Sequence, residues 1–330
     1  MSSIRELTEA FPQHLKEAVL IGKKSTLPAS GKLFSNVLIC GMGGSGIGGS
    51  IVSQLANTEA TVPFHVCKDY TIPAFVNHNS LVIASSYSGD TEETLDAVDQ
   101  SLKKGAEVVC LSSGGKLIEM AIEKRLPFIQ IPGGIPPRAA FGYSFPQLFT
   151  ILSHYRITSS RYLSEVEKAI SFLQNEKEKI QNEAERLSKI LLNKIPVLYA
   201  ETSFEAVLIR FRQQLNENAK MLAWHHILPE MNHNELVGWK HENKNLAVLF
   251  IRNENDYTRT AKRIDICKEI ILPKASSVTE VWTKGSTPLE RILYTVHLLD
   301  FVSVLLAEKR NIDAEEIQVI DFLKGELSKF

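Results

Sequence analysis

The sequence predicts an α/β protein of two domains, each with a mainly parallel sheet covered by helices on both faces. The chain has 330 residues, and a prior of about 150 residues per domain gives roughly two domains. Apolar residues make up 44 % and charged residues 23 %, which is typical of a globular protein. Short β-rich runs alternate with helix-length polar stretches in the first half, and a second pattern of this kind begins near Pro196.

The β-rich runs of the first half predict the strands of one sheet. They are residues 36–40, 62–67, 81–85, 108–111 and 128–131. Helical patterns at 91–104 and 116–124 lie between them, and a helix-rich stretch covers 138–155. This alternation is typical of βαβ units, which build parallel sheets.

Residues 161–193 are dense in Glu and Lys and contain no proline or glycine, so they predict a long exposed helix that joins the two domains. We expect a first domain at 1–157, a linking helix at 158–193 and a second domain with C-terminal helices at 194–330. In the second half, strands are predicted at 196–200, 246–251 and 277–282, and helices at 203–221, 257–270, 288–309 and 314–327. A glycine-rich turn occurs in the first half alone.

Charge and hydropathy exclude several classes of protein. Lys and Arg number 37 against 38 Asp and Glu, so no basic surface for nucleic acid or an anionic membrane is expected. No apolar run reaches the roughly 18 residues of a membrane span, and residues 292–307, the nearest candidate, contain His297 and Asp300. The N-terminus has no apolar segment of a secretory signal. The 4 cysteines are widely spaced, so we expect reduced thiols in a cytoplasmic protein.

A glycine-rich run, Gly41-Met-Gly-Gly-Ser-Gly-Ile-Gly-Gly49, follows the first predicted strand. Its first, third and sixth positions satisfy the dinucleotide fingerprint G-x-G-x-x-G, with Asp69 as a candidate ribose ligand. A purely structural tight turn remains an alternative. A Walker loop does not fit, because Ile47 stands where that motif needs lysine.

A second polar loop, Ser86-Tyr-Ser-Gly-Asp-Thr91, follows the strand predicted at 81–85. Asp90 and Glu93 have the spacing of a capping box, which predicts a helix that begins near Thr91. The free N–H groups of a helix start, together with three hydroxyls, suit a phosphomonoester held without lysine. An ordinary N-cap with incidental serines is the alternative.

These two loops together resemble the sugar isomerase (SIS) domain. More narrowly, the chain resembles the bifunctional phosphoglucose/phosphomannose isomerases, which carry two SIS domains in tandem. The further matching segments are Pro137-Arg-Ala-Ala140, Asn216-Glu-Asn-Ala-Lys220, Pro229-Glu-Met-Asn-His-Asn234 and Ile320-Asp-Phe-Leu-Lys324. The resemblance implies an α/β/α sandwich in each half and a homodimer with active sites at its interface. It also implies interconversion of aldose and ketose phosphates without a metal or other cofactor.

The resemblance also assigns roles to individual residues. Glu217 would be the base that moves a proton between two carbons, and Arg138 would stabilise the enediolate with a permanent charge. His233, from the partner subunit, and Lys324 would open the sugar ring. The phosphate ligands would be Ser45, Ser86, Ser88 and Thr91, with Gly44 and Gly46 allowing the backbone to approach.

The chain departs from the family at one position that concerns the sugar epimer. Seven residues before the matched lysine the family often has Thr-Pro, and here Ile317-Gln318 stands there.

Other functions stay open: a non-catalytic SIS module that senses a sugar phosphate, and an NAD-dependent dehydrogenase. A sensor needs the phosphate loop alone, so the joint presence of the four catalytic candidates disfavours it. No His-Glu-x-x-His or Cys/His cluster predicts zinc.

Overall fold

The computed structural model describes residues 3–329, and their contacts divide the chain into two compact units. The first unit contains Glu9–Lys177 and Lys284–Tyr294. The second contains Glu178–Thr283 and the described parts of Met1–Thr8 and Thr295–Phe330. Both units are assembled from discontinuous segments of the chain. The boundaries expected after residues 157 and 193 assume continuous domains, and they stay a prediction.

The first unit is built on a parallel sheet, as the sequence predicts. Among its described residues the strands are β1 (Asn36–Cys40), β2 (Phe64–Cys67), β3 (Ser80–Ser85), β4 (Glu107–Ser112) and β5 (Phe128–Gln130). They pair in parallel in the order β2-β1-β3-β4-β5. β1 and β3 are buried along their whole length, as expected for strands covered on both faces.

The second unit contains another parallel sheet, with the order β7-β6-β8-β9. Its strands are β6 (Ile195–Glu201), β7 (Trp224–Leu228), β8 (Asn243–Arg252) and β9 (Ala275–Trp282). If the strands of each sheet are numbered along the chain, the second strand lies at the edge of both sheets and is followed in space by the first, third and fourth strands. The sequence does not predict β7, because this edge strand is half-buried and carries two adjacent histidines instead of an apolar run.

Helices cover the sheets and fill most of the remaining chain. The α-helices are α1 (Ile4–Glu9), α2 (Phe11–Lys24), α3 (Gly43–Ala56), α4 (Glu92–Lys103), α5 (Gly115–Glu123), α6 (Phe141–His154), α7 (Arg161–Asn175), α8 (Lys177–Leu191), α9 (Glu205–Glu217), α10 (Thr258–Ile271), α11 (Pro288–Lys309) and α12 (Gln318–Leu327). Short 3₁₀ helices occur at Pro137–Ala139, Thr202–Phe204, Glu230–His233 and Glu235–Lys240.

The long exposed helix expected at 161–193 is instead two helices, α7 and α8, with Glu176 between them. Each helix buries an apolar face, which includes Val166 and Leu173 on α7 and Ile180 and Leu187 on α8. Most of the Glu and Lys residues that suggested full exposure lie on the opposite faces, although Glu165 is buried. The amphipathic pattern of each helix is therefore not evident from composition alone.

Helix α11 contains the segment that came nearest to a membrane span in the sequence. Its Asp300 is buried and accepts hydrogen bonds from Arg210 at 2.6 and 3.2 Å, which explains an acidic residue in an apolar helix. Within residues 3–329 no helix is long and apolar enough to cross a membrane. The four cysteines are free thiols, and all four are buried.

Candidate functional site

The glycine-rich run is mostly helical. Helix α3 begins at Gly43, so Gly41 and Met42 alone separate it from β1. A Cβ atom at Gly49 would lie 2.8 Å from Ile39 Cγ2, and one at Gly46 would collide with the Gly41 carbonyl oxygen. The glycines therefore let α3 start directly against the end of β1, which aims its first N–H groups at the carboxyl edge of the sheet.

The loop after β3 reaches the same edge. Because β1 and β3 are parallel neighbours, the loops that follow them lie side by side, and Ser45 Oγ accepts a hydrogen bond from Tyr87 N at 3.1 Å. Burial raises the pKa of Tyr87, so its hydroxyl stays neutral. The sheet order reverses direction between β1 and β3, and ligands of open α/β sheets bind at such a switch point. We call this place the β1/β3 edge.

Hydrogen bonds fix the hydroxyl loop. Ser86 Oγ lies 2.8 Å from Thr91 Oγ1 and accepts from Gly89 N at 3.1 Å, while Ser88 Oγ accepts from Asp90 N at 3.3 Å. Helix α4 begins at Glu92 with Thr91 as its N-cap residue, as predicted. The predicted capping box does not form around Asp90, whose carboxylate instead accepts from Lys116 N at 3.1 Å.

Arg138 also lies at this end of the first unit. It is buried in the 3₁₀ helix Pro137–Ala139, with 4 % of its surface exposed. A Cβ atom at Gly44 would lie 3.2 Å from Pro137 O and 3.7 Å from Arg138 Cα, so the arginine backbone packs on the glycine-rich helix start. The structure thus brings together Gly44, Ser45, Gly46, Ser86, Ser88, Thr91 and Arg138.

Glu217 belongs to the second unit, where it is the last residue of α9 and half-buried. A cavity of about 320 Å³ adjoins it, lined by Asn216, Glu217, Lys220, Glu316, Ile317, Val319 and Ile320. Lys220 Nζ donates to Glu217 O at 2.6 Å and to Glu316 O at 2.7 Å, and so ties the end of α9 to the segment before α12. Lys220 belongs to a segment that matches the family, but the sequence predicts no role for it.

His233 and Lys324 lie elsewhere in the second unit, and both are exposed. His233 ends the 3₁₀ helix Glu230–His233, and Lys324 lies on α12. Neither His233 nor Lys324 is among the described residues that line the cavity beside Glu217. The roles of Glu217, His233, Lys324 and Arg138 therefore stay predictions.

The neighbouring histidines of β7 have structural surroundings. His225 Nδ1 lies 3.3 Å from Arg212 NH1, and burial lowers the pKa of His225 to about 4, so the ring is neutral and accepts from arginine. His226 Nδ1 lies 2.9 Å from Glu235 Oε2. Among residues 3–329 no group of three or more His, Cys, Asp or Glu side chains is placed to hold a metal ion.

The corresponding edge of the second sheet carries charged residues at the end of β8, while Thr202 and Ser203 directly follow β6. Arg252, the last residue of β8, donates to Asp265 at 2.9 Å and Glu280 at 2.5 Å, and lies 3.9 Å from Asp256. Burial raises the pKa of Asp256 to about 6. Ion pairs thus occupy the end of β8.

The dinucleotide alternative fits the sheet poorly. The classic dinucleotide fold has the strand order 3-2-1-4-5-6, whereas β3 here lies directly beside β1. Asp69, the candidate ribose ligand, accepts a hydrogen bond from Tyr70 N at 2.7 Å and so supports its own turn.

Comparison with known proteins gives a family match and several full-length relatives. A family model described as the bacterial phospho-glucose isomerase C-terminal SIS domain matches residues 180–327. The bifunctional phosphoglucose/phosphomannose isomerase of Caldicellulosiruptor bescii is 34 % identical over 97 % of each chain. That of Thermoplasma acidophilum is 36 % identical over 89 % of this chain and 90 % of the relative. The D-glucosamine-6-phosphate 4-epimerase of Sulfolobus acidocaldarius is 31 % identical over 88 % of each chain.

Solved structures share the fold at low sequence identity. The C-terminal domain of glucosamine-fructose-6-phosphate aminotransferase from Francisella tularensis has a TM-score of 0.76 at 14 % identity, over 96 % of this chain and 99 % of that one. Tagatose-6-phosphate ketose/aldose isomerase from Escherichia coli has a TM-score of 0.67 at 11 % identity, over 96 % and 95 %. Two parallel-sheet units of the SIS type, as the sequence predicts, are thereby confirmed.

Proposed function

Because this chain belongs to the bifunctional phosphoglucose/phosphomannose isomerase family, a family of isomerase enzymes, we propose that it interconverts glucose 6-phosphate and mannose 6-phosphate with fructose 6-phosphate. The reaction passes through an enediolate and uses no metal. It takes place in the cytoplasm, a location supported by the four free thiols.

The β1/β3 edge is the observation that carries this proposal. Two helix starts and the hydroxyls of Ser45, Ser86, Ser88 and Thr91 meet there. Backbone N–H groups and hydroxyls at a helix start bind a phosphate dianion through hydrogen bonds and the helix dipole. A phosphate is common to all three proposed substrates, so one anchor serves them all.

Glu217 and Arg138 carry out the proton transfer. The Glu217 carboxylate removes the proton from C2 of the open-chain aldose and delivers it to C1, while the hydroxyl proton passes from the C2 oxygen to the C1 oxygen, so the carbonyl moves from C1 to C2. Arg138 stabilises the enediolate oxygens, since a guanidinium keeps its charge throughout the reaction. The half-burial of Glu217 beside a cavity, and the burial of Arg138, support these roles.

Ring opening falls to His233 and Lys324, in a homodimer in which His233 serves the partner's site. Two features support this arrangement. His233 is exposed on its own subunit, and α12 has no buried residue although it carries apolar side chains. Val319, Phe322 and Leu323 are 81 %, 69 % and 57 % exposed, and a second copy of the chain would cover them.

Ile317 restricts the mannose epimer. It lines the cavity beside Glu217, where the family often has a smaller threonine. The two aldoses differ at C2 alone and share one enediolate, so space near C1 and C2 decides how well each is used. Mannose 6-phosphate is therefore the poorer of the two substrates.

A coupled assay of fructose 6-phosphate conversion, with and without a chelator, tests the proposal. The wild type should turn over equally in both, while Glu217→Gln should lose about 10²- to 10⁴-fold in kcat and keep its sugar-phosphate affinity, since the amide cannot accept a proton. Glu205→Gln, at the other end of α9, is the matched control and should keep full activity. Binding without turnover in the wild type would indicate a sensor, and loss of activity on chelation would reject the metal-free reaction.

A further inference from the structure

The segment that carries His233, residues 229–240, contains a carboxylate that bonds to two strands of the sheet. Glu235 lies two residues after His233, and its Oε1 accepts hydrogen bonds from the Tyr199 hydroxyl and from Trp224 Nε1, the latter at 3.1 Å. Its Oε2 lies 2.9 Å from His226 Nδ1. The carboxylate therefore holds the segment against both β6, which contains Tyr199, and β7, which contains the other two partners.

The anchor on β6 is rigid. Tyr199 is fully buried in the apolar core of the second unit, and Trp239 Nε1 donates to its hydroxyl at 3.0 Å. Burial is the largest cause that raises the pKa of Tyr199, so the hydroxyl remains a donor to Glu235 at all relevant pH values. A buried donor paired with a carboxylate makes a strong, directional hydrogen bond.

The other side of His233 is fixed as well. Met231, two residues before His233, is fully buried in the same core cluster as Tyr199. After His233, Asn234 Oδ1 accepts from Glu235 N at 2.6 Å and begins the next 3₁₀ helix. His233 is thus an exposed side chain on a backbone held at the second residue on either side.

We propose that Glu235 is a positioning residue for ring opening, which acts by fixing the backbone that presents His233. This inference rests on the proposed function, in which His233 opens the sugar ring. The geometric demand is high, because a proton donor or acceptor must lie within about 2.6–3.2 Å of its target. A misplacement of about 1 Å can cost roughly 10²-fold in rate. Without Glu235, the segment loses the three carboxylate contacts to Tyr199, Trp224 and His226, while the bond from Trp239 to Tyr199 remains.

Anomerisation of glucose 6-phosphate isolates this step from isomerisation. In ring opening the C1 hydroxyl loses its proton, the bond between C1 and the ring oxygen breaks, and that oxygen gains a proton. Reclosure on the other face gives the other anomer with no change in composition. The C2 proton stays in place, so a Glu217→Gln parent should still catalyse anomerisation although it cannot isomerise the sugar.

The test places further substitutions in that Glu217→Gln parent. The exchange of α and β anomers is measured by two-dimensional NMR, and affinity for an acyclic hexitol 6-phosphate, which needs no ring opening, by calorimetry. Glu235→Ala and His233→Ala should each slow catalysed anomerisation at least 10-fold with the hexitol phosphate affinity within about twofold of the parent. Glu242→Ala, an exposed glutamate just beyond the segment, is the matched control and should change neither.

The outcomes separate this proposal from the one on which it rests. If the parent does not catalyse anomerisation, or if His233→Ala leaves it unchanged, His233 does not open the ring and the proposed function loses that step, together with the inference. If His233→Ala slows anomerisation while Glu235→Ala anomerises the sugar as fast as the parent, only the role of Glu235 is rejected and that of His233 stands. Loss of both anomerisation and hexitol phosphate binding in Glu235→Ala would make Glu235 a general requirement of the fold and would also overturn the proposal.

Discussion

The Thr91 hydroxyl is the sharpest probe of the β1/β3 edge, because helix α4 does not need it. Thr91 is the N-cap residue of α4, yet its side chain makes no capping hydrogen bond. Its hydroxyl lies 2.8 Å from Ser86 Oγ, and Ser86 keeps a second partner, Gly89 N, at 3.1 Å. Thr91→Val therefore removes one donor from the edge while it preserves the side-chain volume and the other bonds of the loop.

The size of the effect follows from the charge of the ligand. A hydrogen bond to a charged group contributes about 1.5–3 kcal/mol, and each 1.4 kcal/mol is about tenfold in affinity. Thr91→Val should thus raise the KM for every phosphorylated substrate about 10- to 150-fold. The kcat should change little, because the phosphate is held equally in the ground state and the transition state. Ser88→Ala should give the lower end of this range, since Ser88 is exposed to water.

Initial rates with fructose 6-phosphate and glucose 6-phosphate measure both constants. Thr58→Val is the matched control: its hydroxyl donates to Leu55 O at 3.0 Å at the far end of α3, and its KM should stay within twofold of the wild type. A KM within twofold in both Thr91→Val and Ser88→Ala would show that the phosphate is bound elsewhere.

Three other properties of the chain can be measured independently. After subunit exchange, a mixture of inactive Glu217→Gln and His233→Ala chains should regain about a quarter of wild-type activity, because half of the dimers then hold one intact site; no recovery would refute the shared site. Ile317→Thr should narrow the gap in kcat/KM between glucose 6-phosphate and mannose 6-phosphate, and an unchanged ratio would contradict the steric account. Burial raises the pKa of Asp256 from 3.8 to about 6. Between these pH values the folded chain binds more protons than the unfolded chain, so the free energy of unfolding falls as the pH rises. The total decrease is roughly 3 kcal/mol. Urea unfolding between pH 4 and 7 should show that Asp256→Asn removes this decline, and an equal decline in both proteins would reject it.

The sequence predicted the parts of the fold that depend on local pattern. Buried parallel strands such as β1 and β3 are continuous apolar runs, so their bounds were within one residue of the observed ones. The two loops of the β1/β3 edge were recognisable because glycines and hydroxyls directly follow those strands. Parallel neighbours then bring the loops together without any further information.

The missed features depend on tertiary contacts. Strand β7 owes its place to pairing with β6, since its Trp and His residues give no apolar run. The first turn of α3 is mostly glycine, a poor helix former, and the close approach of Gly46 to Gly41 and of Gly44 to Pro137 depends on the fold. Glu235 directly follows a recognised motif, but its partners on β6 and β7 are set by the fold, so spacing alone could not reveal its role.

The unequal carboxyl edges of the two sheets have an evolutionary consequence. At the β1/β3 edge, a single substitution among the hydroxyls removes one polar group without leaving a buried charge unpaired. At the second edge, loss of Arg252 would remove the cation beside the buried Asp256 and one partner each of Asp265 and Glu280, although Glu280 would keep Lys268. Replacement of these charges by glycines and hydroxyls would need several simultaneous changes. The charges at the end of β8 therefore constrain substitutions there more strongly than the hydroxyls constrain substitutions at the β1/β3 edge.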